Sequence, residues 1–126
     1  MQISKCFISQ PMKNKTIEQI KNEREEVIEF LHRNGMKEIN SIFENNEDPI
    51  YALGESIKLM SNADCAYFMK GWNEARGCII EHEVCERYGI PIIIGVNYYW
   101  LVIESLKTIA GLILDILADC NKMSSF

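Results

Sequence analysis

Short apolar runs and longer stretches of helical period take turns along this chain, and their boundaries fall on turn residues. Gln2 to Ser9 holds Ile3, Cys6, Phe7 and Ile8 and stops at Gln10-Pro11, which predicts a buried strand ending in a turn. Thr16-Ile17-Glu18-Gln19 has the form of a capping box, so a helix is predicted to begin there. Ile17, Ile20, Val27, Ile28 and Leu31 form its apolar stripe, Glu18, Lys21, Glu25 and Glu29 its solvated face, and Asn34-Gly35 its stop. Met36 to Phe43 is a weaker strand, followed by a polar loop, Glu44-Asn45-Asn46-Glu47-Asp48-Pro49. Ile50 to Met60 reads as a short helix with Leu53, Ile57 and Met60 inward.

Asp64 to Met69 fits a fully buried parallel strand, and Lys70-Gly71-Trp72-Asn73 is the turn after it. Glu74 to Tyr88 has helical length and is closed by Gly89-Ile90-Pro91. In Ile92 to Val96 four of five residues are β-branched, the strongest strand signal of the chain. Gly95, Val96 and Asn97 begin a loop, and Trp100 to Asp119 is an apolar helix with Glu104, Thr108, Gly111, Asp115 and Asp119 as its polar stripe.

Strands alternating with helices give an α/β fold with a parallel sheet covered on both faces. At 126 residues the chain is expected to form one domain, 1–126. In such sheets ligands bind beyond the carboxyl ends of the strands, where strand order reverses. That rule selects Ser9-Gln10-Pro11-Met12, Lys70-Gly71-Trp72 and the start of the helix that follows.

Composition narrows the partners. A net charge of −5 leaves no basic field for a nucleic-acid polymer, while a small anion can still bind local backbone N–H groups. Glu104, Lys107 and Asp115 interrupt the longest apolar stretch, Pro91 to Leu117, so no membrane span is expected. The five cysteines are odd in number and hold no C-x-x-C pair, and Met1-Gln2-Ile3-Ser4-Lys5 does not read as a signal peptide. A reducing, cytoplasmic setting is the expectation.

The two loops at the sheet edge carry the candidate chemistry. Ser9, Gln10, Pro11 and Met12 offer a hydroxyl, a carboxamide and turn N–H groups, without the glycine fingerprint of a dinucleotide site; no cofactor is called for. Gly71, Trp72, Arg76 and Gly77 put a flat aromatic and a cation at a strand-to-helix junction, suited to stack a base and pair with a phosphate. Glu81 lies about one turn inside the helix, among apolar Ile80 and Val84. It reads either as a solvated helix residue or as a half-buried general acid, base or nucleophile. Cys78, His82 and Cys85 share a helical face but lack a completing pair of ligands, and are expected in the core rather than on a metal. His32 falls near a helix end, where it would serve the terminal carbonyls.

Several of these segments together resemble a known family. Ile8-Ser9-Gln10-Pro11-Met12 with Lys15-Thr16, Ala63-Asp64-Cys65-Ala66-Tyr67, Lys70-Gly71-Trp72, Ala75-Arg76-Gly77-Cys78-Ile79-Ile80-Glu81-His82-Glu83 and Tyr88-Gly89-Ile90-Pro91 occur in an order that resembles a small bacterial and phage family of unassigned function. That family is related to nucleoside 2-deoxyribosyltransferases and nucleotide N-glycosidases. The resemblance covers residues 1 to about 96. It implies a flavodoxin-like three-layer fold with a parallel sheet of four to five strands, and a nucleoside or nucleotide ligand. In the transferases a Glu of a Gly-x-x-x-Glu segment attacks the anomeric carbon, and Glu81, following Gly77, matches it.

The chain departs from the transferase pattern at two places. Carboxylates that assist the departing base and hold the sugar hydroxyl would fall at Ser56 and Ala75. Losing an acid at Ala75 beside Arg76 makes the site less hostile to a phosphate, so a nucleoside monophosphate is expected, its phosphate against Ser9, Gln10 and Arg76 and its base near Trp72. Two functions follow: cleavage or transfer of an N-glycosidic bond through Glu81, or a catalytically inactive module that sequesters a nucleotide-derived ligand. The C-terminal helix, 100–119, is apolar over more than one stripe, which predicts a homo-oligomer built through it.

Overall fold

The computed structural model describes residues 3–43, 48–95 and 98–124. The expectations placed on Gln2, on 44–47 of the polar loop and on Val96 and Asn97 lie outside the described residues. The chain divides into two compact units, Met1–Gly95 and Val96–Phe126.

The first unit runs β1 (Ser4–Ser9), α1 (Ile17–Arg33), β2 (Met36–Ile39), α2 (Pro49–Met60), β3 (Cys65–Phe68), a 3-10 turn (Trp72–Glu74), α3 (Arg76–Tyr88) and β4 (Ile92–Ile94). All strand pairs are parallel and the sheet order is β2-β1-β3-β4. Helices cover both faces, so the fold is α/β and flavodoxin-like, in three layers.

Strand alternation decides which residues meet which layer. Cys6 and Ile8 of β1 and Cys65 of β3 face α1 and pack with Val27 and Leu31. Phe7 of β1 and Ala66 and Phe68 of β3 face the other way, onto Met60 of α2 and Cys85 of α3. The helix ends follow local chemistry. Gln19 N–H donates to Thr16 Oγ1 at 3.1 Å and Thr16 N–H donates to Gln19 Oε1 at 2.9 Å, completing the capping box. Gly89 ends α3 in the left-handed conformation that favours glycine, at φ 71°.

Some boundaries, and one side-chain contact, differ from the sequence expectation. β2 stops at Ile39 rather than Phe43, because Asn40 Oδ1 accepts from Ile42 N–H at 3.2 Å and the intervening Ser41 turns inward. α3 begins at Arg76 rather than Glu74, because Trp72–Glu74 close a tighter turn first. His32 reaches Glu38 of β2, Nε2 to Oε2 at 2.6 Å, where a contact to the helix-end carbonyls was expected.

The second unit is α4 (Tyr98–Ser124). Leu106, Ile109, Ile113 and Ile116 are among its exposed apolar side chains. Among the described residues no helix is long and apolar enough to cross a membrane.

Candidate active site

From β1 the chain crosses to β2 on one side, and β3 leads to β4 on the other, so strand order reverses between β1 and β3. A crevice opens at the carboxyl ends of such a pair. Ser9 and Phe68 are partners at that edge. The loops beyond them touch: Gly71 has φ +87°, and a Cβ there would lie 3.5 Å from Pro11 Cγ. The turn directs the chain into α3, whose buried stripe is Cys78, Glu81 and Cys85.

Glu81 is only 7% exposed, and Ser9 Oγ donates to its Oε1 at 3.1 Å. Burial pushes its carboxyl from the ordinary 4.5 up to about 7, against the opposing pull of the Ser9 hydroxyl and the Arg24 charge. A sizeable fraction of the group is therefore ionised and a sizeable fraction protonated at neutral pH. The thiols of Cys78 and Cys85 go the other way in reactivity: burial pushes each up to about 11, so both stay protonated and inert as nucleophiles. Among the described residues no group of three or more His, Cys, Asp or Glu side chains is placed to hold a metal ion.

A second buried network lies on the α1 side of the same strand end. Arg24 Nε donates to Gln10 Oε1 at 2.9 Å and Nη1 donates to Ser41 Oγ at 3.0 Å. Ser41 Oγ donates to Ile8 O at 3.3 Å, and Gln10 Nε2 donates to Ile20 O at 3.0 Å and Glu23 Oε2 at 3.2 Å. Lys15 Nζ closes the network on Glu23 Oε2 at 2.8 Å. Arg24 Nη2 is buried with no hydrogen-bond partner. Burial lowers the guanidinium to about 10, which leaves it charged at neutral pH.

The resulting cleft has a volume of about 1080 Å³. Buried Glu81, Cys78, Gln10 and Ser41 and half-buried Gly77 line it. Pro11, Met12, Phe43, Pro49, Ile50 and Leu53 make an apolar wall, and Lys13, Lys70 and Arg76 supply cations. Lys13, Lys70 and Arg76 form no ion pair among the described residues.

Of the residues singled out in the sequence, Gln10, Pro11, Met12, Gly71, Arg76, Gly77 and Glu81 line the cleft. Ser9 is buried and does not line the cleft; its hydroxyl donates to Glu81 and also interacts with the Cys78 thiol. Gln10 spends both amide hydrogens on Ile20 and Glu23. Both side chains therefore have protein partners in this structure. Trp72 does not line the cleft. Its indole stacks on the His82 imidazole at 4.1 Å and 12°, and meets the Phe68 ring edge-on at 5.6 Å, because burying the aromatic against the core outweighs presenting it to solvent.

Sequence reasoning missed Arg24 and Ser41. Arg24 had a signal, for it fills the one helical position between Ile20 and Val27 where the apolar stripe of α1 is interrupted. Ser41 had none. Ser56 and Ala75, which stand where the transferase pattern has carboxylates, both line the cleft. Asp48 and Glu74 also line it; Asp48 Oδ1 caps α2 by accepting from Ile50 N–H at 2.9 Å. Comparisons of the chain with protein-family models, curated proteins and solved structures find no match.

Proposed function

We propose that this protein is a nucleoside 2-deoxyribosyltransferase-like enzyme that breaks an N-glycosidic bond with Glu81 as nucleophile. One observation carries the reading: a buried carboxyl lining a sheet-edge cleft, with its pKa raised to about 7. A raised pKa makes the ionised carboxylate more nucleophilic than an ordinary one while leaving enough of it charged at neutral pH. In the first step a carboxylate oxygen of Glu81 bonds to C1′ and the C1′–N bond breaks. The base leaves with the electron pair and takes a proton from solvent. In the second step water or another base attacks C1′, the ester bond breaks, and Glu81 recovers its charge.

The cleft suits a nucleoside monophosphate. Phe43, Ile50 and Leu53 offer an apolar wall to the base, in the place first given to Trp72. Lys13, Lys70 and Arg76 offer positive charge to the phosphate, and Ala75 leaves the first N–H groups of α3 without a side-chain cap. Incubation with each deoxynucleoside monophosphate, followed by chromatography, is expected to show free base. Glu81→Gln is expected to lower its rate by a factor of about 10³ or more. Intact nucleotide from the folded wild-type protein overturns the enzyme reading.

A second reading is favoured by Ser56 and Ala75, which put no carboxylate at the positions that assist the base and hold the sugar. In that reading the protein sequesters a nucleotide-derived ligand, which would be recovered unchanged and bound equally by Glu81→Gln.

The ligand in either reading is a small molecule, and the free thiols of Cys6, Cys65, Cys78, Cys85 and Cys120 suit a reducing, cytoplasmic setting. The apolar side chains of α4 are proposed to pair with those of other copies. Light scattering at micromolar concentration is expected to give an oligomeric mass; a monomer contradicts this.

A further inference from the structure

Alternation along β1 sends Cys6 and Ile8 to the α1 side and Phe7 to the side of α2 and α3, so Ser9 emerges toward α3. Phe7 shares a core cluster with Cys85 of α3. That helix returns the chain between the parallel strands β3 and β4, so it runs against the strand direction. Going from Phe7 to Ser9 advances about 6.6 Å along the strand, and going back from Cys85 to Glu81 is about 6 Å along the helix. The two steps match, and Glu81 comes opposite Ser9.

The two oxygens of the carboxyl then differ. Ser9 is 1% exposed, and its carbonyl accepts from Met69 N–H at 2.9 Å, which fixes its backbone inside the sheet. From that anchor its hydroxyl donates to Glu81 Oε1 at 3.1 Å. Among the described residues no donor meets Glu81 Oε2, and the one buried side-chain atom left without a partner is Arg24 Nη2. Oε2 is therefore unpaired without being sealed off. Glu81 lines the cleft, and Oε2 is its open oxygen.

We propose that Ser9 is a positioning residue for Glu81: its hydroxyl holds Oε1 and leaves Oε2 as the oxygen that bonds to C1′. The part played by Oε2 rests on the nucleophile reading, whereas the hold on Oε1 does not. The last torsion of a glutamate is soft, and the hydrogen bond fixes it. Attack needs the reacting atoms about 3 to 3.5 Å apart, and a misplacement of about 1 Å costs roughly a hundredfold in rate. As the Oε2–C1′ bond forms, the C1′–N bond breaks and the base leaves with its electron pair. Oε1 becomes the carbonyl oxygen of the ester and still accepts from Ser9, which keeps its proton throughout.

The neighbouring groups stay in place when Ser9 is replaced, so the substitution isolates the hydroxyl. The Cys78 thiol, which also meets that hydroxyl, and the Cys85 thiol are both protonated at neutral pH. Arg24 is bound to Gln10 and Ser41 on the α1 side of β1. His82 turns to Trp72 and Glu86. Lys70, Arg76, Asp48 and Glu74 line the cleft but are exposed, and solvent screens them.

The test is Ser9→Ala, read in two ways. With each deoxynucleoside monophosphate, kcat for base release is expected to fall roughly thirtyfold to a hundredfold while KM stays within about twofold, since Ser9 lies outside the cleft lining. In the ligand-free protein a carbon-13 NMR titration of the Glu81 carboxyl, assigned by its loss in Glu81→Gln, is expected to shift its midpoint up by about half a pH unit, because a donor to the charged form is gone. An unchanged kcat or an unchanged midpoint in the folded variant overturns the proposal. Should Ser9→Ala not fold, Ser9→Cys, a much weaker donor of similar size, replaces it with the same outcomes. If the midpoint moves but the parent protein releases no base, the hold on Oε1 stands and the glycosyl-transfer reading fails.

Discussion

At pH 8 the Glu81→Gln variant is expected to be more stable than the parent protein by about 2–3 kcal/mol, or roughly 10 °C in melting temperature. The sign follows from the carboxyl's two pKa values, the ordinary 4.5 in the unfolded chain and about 7 in the folded one. Well below 4.5 both states hold the proton and the group has no effect on stability. Between 4.5 and about 7 the folded state keeps a proton that the unfolded state has lost, so stability falls as pH rises. Above about 7 the loss is complete and flat. Glutamine is neutral throughout and keeps an oxygen to accept from Ser9, so it escapes the penalty. At pH 5 the gain is expected to shrink below about 1 kcal/mol. Thermal melts at the two pH values check it. Equal melting temperatures at pH 8, or a variant destabilised at both, contradict the burial of an ionising carboxyl.

Local chemistry made most of the fold legible. The capping box of Thr16 and Gln19, the glycine stop at Gly89 and the start of the β-branched strand at Ile92 each depend on neighbours in sequence, and each stands where the pattern put it, although β4 ends at Ile94, short of Val96. The strand-edge rule pointed to the two loops that line the cleft, and Glu81 stood out as a carboxylate in an apolar helical setting. What the sequence hid depends on neighbours far along the chain. Arg24 looked like a gap in the stripe of α1, because only the fold brings Gln10 and Ser41 to its guanidinium. Trp72 sits in a turn, where nothing local decides its direction; Phe68 and His82 decide it. Ser9 and Gln10 looked free to bind a phosphate because their partners, Glu81 and Ile20, come from two different helices.

The second large effect concerns the bond that Glu81 is expected to form. A 2′-deoxy-2′-fluoroarabino-nucleoside monophosphate carries an electron-withdrawing fluorine beside C1′, which destabilises the oxocarbenium-like state of both steps. Bond breaking is slowed, release of the sugar from the carboxylate is slowed as well, and the ester accumulates. Because only ionised Glu81 attacks, its formation is expected to slow about tenfold for each pH unit below about 6. The Lys13, Lys70 and Arg76 charges predict faster labelling by the monophosphate than by the free nucleoside. Intact-mass measurement followed by peptide mapping reads the outcome directly. The account predicts one glycosyl phosphate per chain, on Glu81 and absent from Glu81→Gln; an unlabelled protein, or a label on any other residue, contradicts it.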